Sequence, residues 1–191
     1  QFQRQPSVSI VEPSGNRILQ ALDVSGSMMA PIAGTPLSAR EASAAMALVT
    51  LATEPEVHTI GFTSAGGDEW KAPQSARFSG WTNSVSTLPI SPKQRLSDVV
   101  DTVSGLPFGG TDCALPMLYA MERGLKVDAF VVYTDSETWA GDIHPSEALR
   151  QYREKTGIPA KLVVVGMVAN NFSIADPDDA GMLDVVGFDT A

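Results

Sequence analysis

The sequence predicts a doubly wound α/β fold, a mostly parallel sheet with helices on both faces. Three observations carry that prediction. Short apolar runs alternate along the chain with segments of helical periodicity. Residues 129–133 and 161–167 are apolar almost throughout, as strands covered on both faces must be. Helix-start signals fall in the gaps between these runs, which is the order of strand, crossover and parallel strand.

The elements follow in order. Residues 18–22 form a strand ending at Asp23. Residues 38–52 form a helix: Ser38 and Glu41 make a capping-box pair, and Ala42, Ala45, Met46 and Val49 share one face. Residues 57–62 are a second strand. Residues 63–92 hold Gly66-Gly67, prolines and tryptophans; a short edge strand near 69–72 and irregular loop are expected. Ser91-Pro92-Lys93-Gln94 starts a helix to about Ser104, with an N-cap, Pro at the first position and Gln at the third. Asp112 can cap a helix over 113–125, where Pro116 falls in the first turn. Residues 129–133 are a buried strand, His144-Pro145 opens a helix closed by Gly157, 161–167 is another buried strand, and 185–188 the last.

Composition narrows the function. The chain has 191 residues, 43% hydrophobic and 18% charged, which is ordinary globular usage. No repeat or composition shift divides it, so residues 1–191 are expected to form a single domain. No apolar run reaches the roughly 20 residues of a membrane span, and no signal peptide is read at the start. The single cysteine, Cys113, excludes an internal disulfide framework and a Cys-rich zinc site, and suits a cytoplasmic setting. The net charge of −9 repels a phosphate backbone and favours cations.

Three motifs carry chemistry: Asp23-Val24-Ser25-Gly26-Ser27, Gly109-Gly110-Thr111-Asp112 and Thr134-Asp135. Asp23 and Asp135 close buried strands at the edge where open parallel sheets bind ligands, and Thr111 leads into a helix on the same rim. Together they offer two carboxylates and three hydroxyls, a hard-oxygen set suited to magnesium, with Mn²⁺ or Ca²⁺ as substitutes. Ser25, Ser27 and Thr111 would bind directly; Asp23 and Asp135 would bind directly or hold coordinated water. Neutral direct ligands leave the ion positive charge with which to seek a partner's carboxylate or phosphate.

These motifs resemble the metal-ion-dependent adhesion site of von Willebrand factor A domains. Residues 11–15, 21–28, 109–117, 133–141, 144–145, 158–162 and 174–190 are further similar to the C-terminal domain of Ro autoantigen (TROVE) proteins, in a bacterial form. The resemblance implies a doubly wound fold in which Asp23, Ser25, Ser27, Thr111 and Asp135 hold the ion, with Ser136 and residues 137–142 setting access. It implies a non-enzymatic module of an RNA-binding protein that carries Y RNA-like small RNAs and serves RNA quality control. The family's helical-repeat ring is absent here, so the chain is expected to be an excised domain. RNA contact is then expected through the full-length protein, and the partner to be an Asp or Glu carboxylate of another protein or the chain's own ring. The alternative is a structural docking domain with a vestigial metal site that braces the ring.

Other residues have plainer readings. His58 and His144 suit packing or capping. A Ser-His-Asp hydrolase is disfavoured because Ser25 and Ser27 lack the Gly-x-Ser-x-Gly elbow. Cys113 reads as a small buried residue, and Met46, Met117 and Met121 as core. Asp176-Pro177-Asp178-Asp179 lacks an EF-hand loop's Gly and distal Glu and reads as a solvated turn. Trp70, Trp81 and Trp139 are too dispersed for a stacking platform, and Glu137 is left between water-holding and plain surface roles.

Overall fold

The computed structural model describes residues 11–63, 70–71, 84–106, 109–135, 141–168 and 173–187. Seven strands, β1 (Ile18–Asp23), β2 (Val57–Thr63), β3 (Trp70–Lys71), β4 (Ser84–Thr87), β5 (Ala129–Thr134), β6 (Lys161–Gly166) and β7 (Met182–Val186), form one sheet in the order β3-β4-β2-β1-β5-β6-β7. The block β2-β1-β5-β6-β7 is parallel, while β4 joins β2 and β3 joins β4 antiparallel. This is the mostly parallel sheet the sequence predicts. β1 is central, with β2 on one side and β5 on the other, so the strand order reverses there.

Side-chain alternation assigns the two faces. Leu19, Ala21, Ile60, Phe130 and Val132 pack against α3 (Leu115–Arg123) and α4 (Pro145–Thr156). Leu22, Val24 and Tyr133 pack against α1 (Ala39–Thr53) and α2 (Leu96–Ser104). The α1 contact face is built from Ala39, Ala42, Ala44 and Ala47, all fully buried, and small side chains let this helix lie close over β1. The expected capping box sets where α1 begins: the Glu41 amide donates to Ser38 Oγ, and the Ser38 amide donates to Glu41 Oε2 at 2.8 Å.

Several boundaries move. Ser91 and Gln94 do interact, the Ser91 amide donating to Gln94 Oε1 at 2.7 Å, but they close a turn, and α2 begins at Leu96 after an extended Arg95. The Asp112 carboxylate accepts the Ala114 amide at 3.1 Å, and the helix proper starts at Leu115. β4 lies where irregular loop was expected. The last strand runs over Met182–Val186, three residues ahead of expectation at its start, because its ladder with β6 pairs Leu162 with Met182. Asp179 is tied to Arg153 at 2.5 Å, so the acidic turn is more than solvated surface. Among the described residues no helix is long and apolar enough to cross a membrane.

Candidate metal centre

Asp23 is the last residue of the central strand and is completely buried. Its Oδ1 accepts the Ser25 amide at 2.7 Å, the short-range turn that a strand-terminal Asp can make. Its Oδ2 accepts the Thr111 hydroxyl at 3.1 Å and the Thr134 hydroxyl at 2.8 Å. Three segments, 88 and 111 residues from Asp23 along the chain in the last two cases, therefore meet on one carboxylate. The parallel pairing of β1 with β5 makes this automatic: Leu22 lies opposite Tyr133, so the next residues, Asp23 and Thr134, come side by side.

The remaining candidates surround that point. A 3₁₀ turn over Gly26–Met29 follows Ser25 and brings Ser25 Oγ to 3.1 Å from Ser27 Oγ. Ser25 and Thr111 are buried, Ser27 is exposed, and Asp135 is 8% exposed. Asp135 follows Thr134 directly, and its negative charge acts on Asp23. Burial, chiefly, and then Asp135 push the Asp23 carboxyl up to about 6 from its ordinary 3.8, while the Ser25 and Thr134 hydrogen bonds hold it down. Ser136 to Ala140 and Trp81 fall outside the described residues, and with them the expected roles of Ser136, Glu137 and Trp139.

The donor chemistry fits a small, hard dication. Among the described residues no three His, Cys, Asp or Glu side chains are grouped to hold a metal, so any site here must lean on hydroxyl oxygens. Adjacent oxygens around octahedral magnesium stand about 2.9 Å apart, given bonds of about 2.0–2.1 Å. The 3.1 Å between the Ser25 and Ser27 oxygens is close to that spacing.

Three supporting residues escaped the sequence. Thr134 was visible only as the neighbour of Asp135; its role needs the β1–β5 register. Arg40 is 1% exposed and reaches from α1 to donate to the Ser25 carbonyl at 3.2 Å and the Val24 carbonyl at 3.5 Å. Burial lowers its basicity and the charge of Asp23 raises it. Gly141 lies against Asp112: a Cβ there would stand 2.6 Å from the Asp112 Cγ. That contact ties the segment after Asp135 to the turn that carries Thr111. The histidines take the plain roles expected: His58 stacks on Tyr119 with centroids 6.0 Å apart, and His144 Nδ1 accepts the Ser146 amide. Cys113 and Met117 are buried in the core.

Comparison with known proteins agrees with this architecture. The chain is 45% identical over 180 residues to the RNA-binding protein RO60 of Caenorhabditis elegans, covering 94% of this chain and 25% of that protein. It is 46% identical over 183 residues to RNA-binding protein RO60 of Deinococcus radiodurans, covering 95% and 31%. The crystal structure of the Deinococcus radiodurans RO (RSR) protein superposes with a TM-score of 0.76 at 46% identity, over 94% of this chain and 33% of that one. The chain thus spans about a quarter to a third of the length of these relatives. A family model for the Ro60 vWA domain matches residues 17–191, and the chain belongs to that family of von Willebrand factor A domains.

Proposed function

We propose that this chain is a divalent-cation-dependent binding module of a Ro-like RNA-binding protein, and not an enzyme. One observation carries the reading: the Ser25 amide and the hydroxyls of Thr111 and Thr134 converge on the Asp23 carboxylate at the point where strand order reverses. Asp23, Ser25, Ser27, Thr111 and Asp135 would hold Mg²⁺, with Mn²⁺ or Ca²⁺ as substitutes. The bound cation supplies positive charge to which an acidic group of a partner attaches. Thr134 fixes the Asp23 carboxylate, Arg40 fixes the carbonyls of the serine loop, and exposed Ser27 marks the open side. The partner is a protein carboxylate or the helical-repeat ring of a longer chain. The relatives' names support a place within an RNA-binding protein; the role proposed there is in small-RNA particles and RNA quality control, with RNA held elsewhere in the full-length protein.

The test is magnesium titration by calorimetry of the wild type and Asp23→Ala. Saturable binding by the wild type and none by the variant is the expected result; equal heats from both remove the site. A second reading is favoured by a specific observation: Asp23 already has three protein donors. In that reading the site is vestigial and the domain braces the RNA-binding ring. Thermal stability that ignores both EDTA and Thr111→Ala would select it.

A further inference from the structure

Residues 24–39 carry no charged side chain, in a chain whose net charge is −9. This stretch contains two of the candidate ligands and then forms the rim beside them. It is ordered. The Ala30 amide donates to the Ser27 carbonyl at 2.9 Å, the Ala39 amide to the Ala30 carbonyl at 3.0 Å, and the Ile32 amide to the Leu37 carbonyl at 2.9 Å. Buried Met28 and Ile32 anchor the stretch from beneath. Above them Met29 is 57% exposed, and Ala30 and Pro31 are exposed with it. A surface methionine next to a ligand loop is an adaptable apolar contact.

Charge narrows the kind of partner. Glu41, Asp142 and Glu147 lie at the same edge of the sheet as Asp23 and Asp135. Among the described residues Arg40 at this edge is buried, and exposed Lys93 and Arg95 lie on the turn before α2, whose Leu96 and Ser97 line a cavity with Glu41 and Asp101. Arg150, midway along α4, is paired with Glu147 and Glu154. Arg17, Arg123, Lys126 and Lys161 sit at the other ends of the parallel strands. An RNA backbone requires several Lys or Arg contacts along its path. Lys93 and Arg95, with Asp98 and Asp101 following them on α2, make no such path, and the rim of residues 29–31 offers apolar surface beside one cation position.

We propose that Met29, Ala30 and Pro31 form an apolar contact surface beside the cation position, fitted to a protein segment whose carboxylate is flanked by a large apolar side chain. The proposal rests on the cation-dependent reading above and adds the class of partner. The carboxylate completes the cation's shell, and the neighbouring apolar side chain lies on Met29.

The test uses three probes on the 191-residue chain in magnesium: end-blocked Leu-Asp-Leu, end-blocked Gly-Asp-Gly and decauridylate, followed by amide NMR shifts. Leu-Asp-Leu should bind about three- to tenfold tighter than Gly-Asp-Gly, the worth of partly burying one leucine. Met29→Ser should remove that preference, and Val49→Ser, on the exposed side of α1, should keep it. Equal binding of the two peptides, no peptide binding while calorimetry shows magnesium bound, or tighter binding of decauridylate would overturn the proposal. Absence of magnesium binding is a separate outcome: it sinks the metal reading, and this proposal with it.

Discussion

Replacing Thr134 by Val tests whether the hydrogen-bonded carboxylate organises the site. Thr134 is fully buried, and its hydroxyl donates to Asp23 Oδ2 at 2.8 Å. Valine has nearly the same shape, so packing is conserved and the lost donor is the main change. Asp23 would keep the Ser25 amide at 2.7 Å and the Thr111 hydroxyl at 3.1 Å. Removing one donor from a buried carboxylate costs about 1.5–3 kcal/mol. In a chain of this size about 2 kcal/mol lowers the Tm by about 4–8 °C. Loss of a group that orients a metal ligand also weakens binding by about 10- to 100-fold. Differential scanning calorimetry reads the first effect and magnesium titration the second. If Thr134→Val melts within a degree of the wild type and binds magnesium equally, Asp23 is not held as described.

Two other perturbations follow from the same geometry. Gly141→Ala forces a methyl against the buried Asp112 carboxylate, 2.6 Å from its Cγ; overpacking of this kind costs about 1–3 kcal/mol. A lowered urea midpoint together with weaker magnesium binding is expected, and an unchanged midpoint would show that the two loops are not interlocked. At the opposite edge, Arg17 grips Asp128 at 2.6 Å and, by hydrogen bonds first, holds its carboxyl at about 2, below the ordinary 3.8. A depressed carboxyl stabilises the fold above its unfolded pKa, and that gain fades as pH falls from about 4 to about 2. The side chains are 36% and 30% exposed, so screening keeps the contribution small. The stability difference between wild type and Arg17→Met in urea titrations should therefore close as the solution is acidified through that window; a constant difference refutes the linkage.

The fold was legible where local chemistry and burial agreed. The α1 capping box is a contiguous signal, and β5 and β6 are apolar because both faces are covered. The convergence at the candidate site was legible for a related reason: Asp23-x-Ser25-x-Ser27 begins at a strand end, and Asp135 directly follows a recognisable strand. What failed depended on pairing. β4 (Ser84–Thr87) is short and polar, and its place comes from the antiparallel ladder with β2, which no local pattern encodes. β7 leaves Leu183, Val185 and Val186 exposed, so it has no buried periodicity, and only the β6 ladder fixes its register. The Ser91–Gln94 signal was real chemistry with the wrong sequel, because a capped turn needs helical residues after it and Arg95 is extended. Thr134, Arg40 and Gly141 act through space on residues 111, 15 and 29 positions away, respectively, and distance along the chain hides them.

The two ends of the strands differ in kind, and that difference bears on what the candidate metal edge is able to bind. At the carboxyl ends, buried hydrogen bonds hold oxygen atoms inward around Asp23, and the exposed rim of residues 26–31 is uncharged. At the amino ends, cations and anions are interleaved: Arg17 with Asp128, and Arg153 with Asp179. Pairs of that kind cancel over distances shorter than the roughly 8 Å screening length of physiological salt and present no extended positive field. Lys126 and Lys161 also lie at the amino ends, so of the two edges it is the candidate metal edge, with Arg40 buried, that is the poorer path for a phosphate backbone. On the proposed reading, the carboxyl-terminal edge would act on an anion at one point, through a dication held by these oxygens. A single point of attraction would then select a partner by what surrounds the charge, and specificity would be decided at the neighbouring apolar rim.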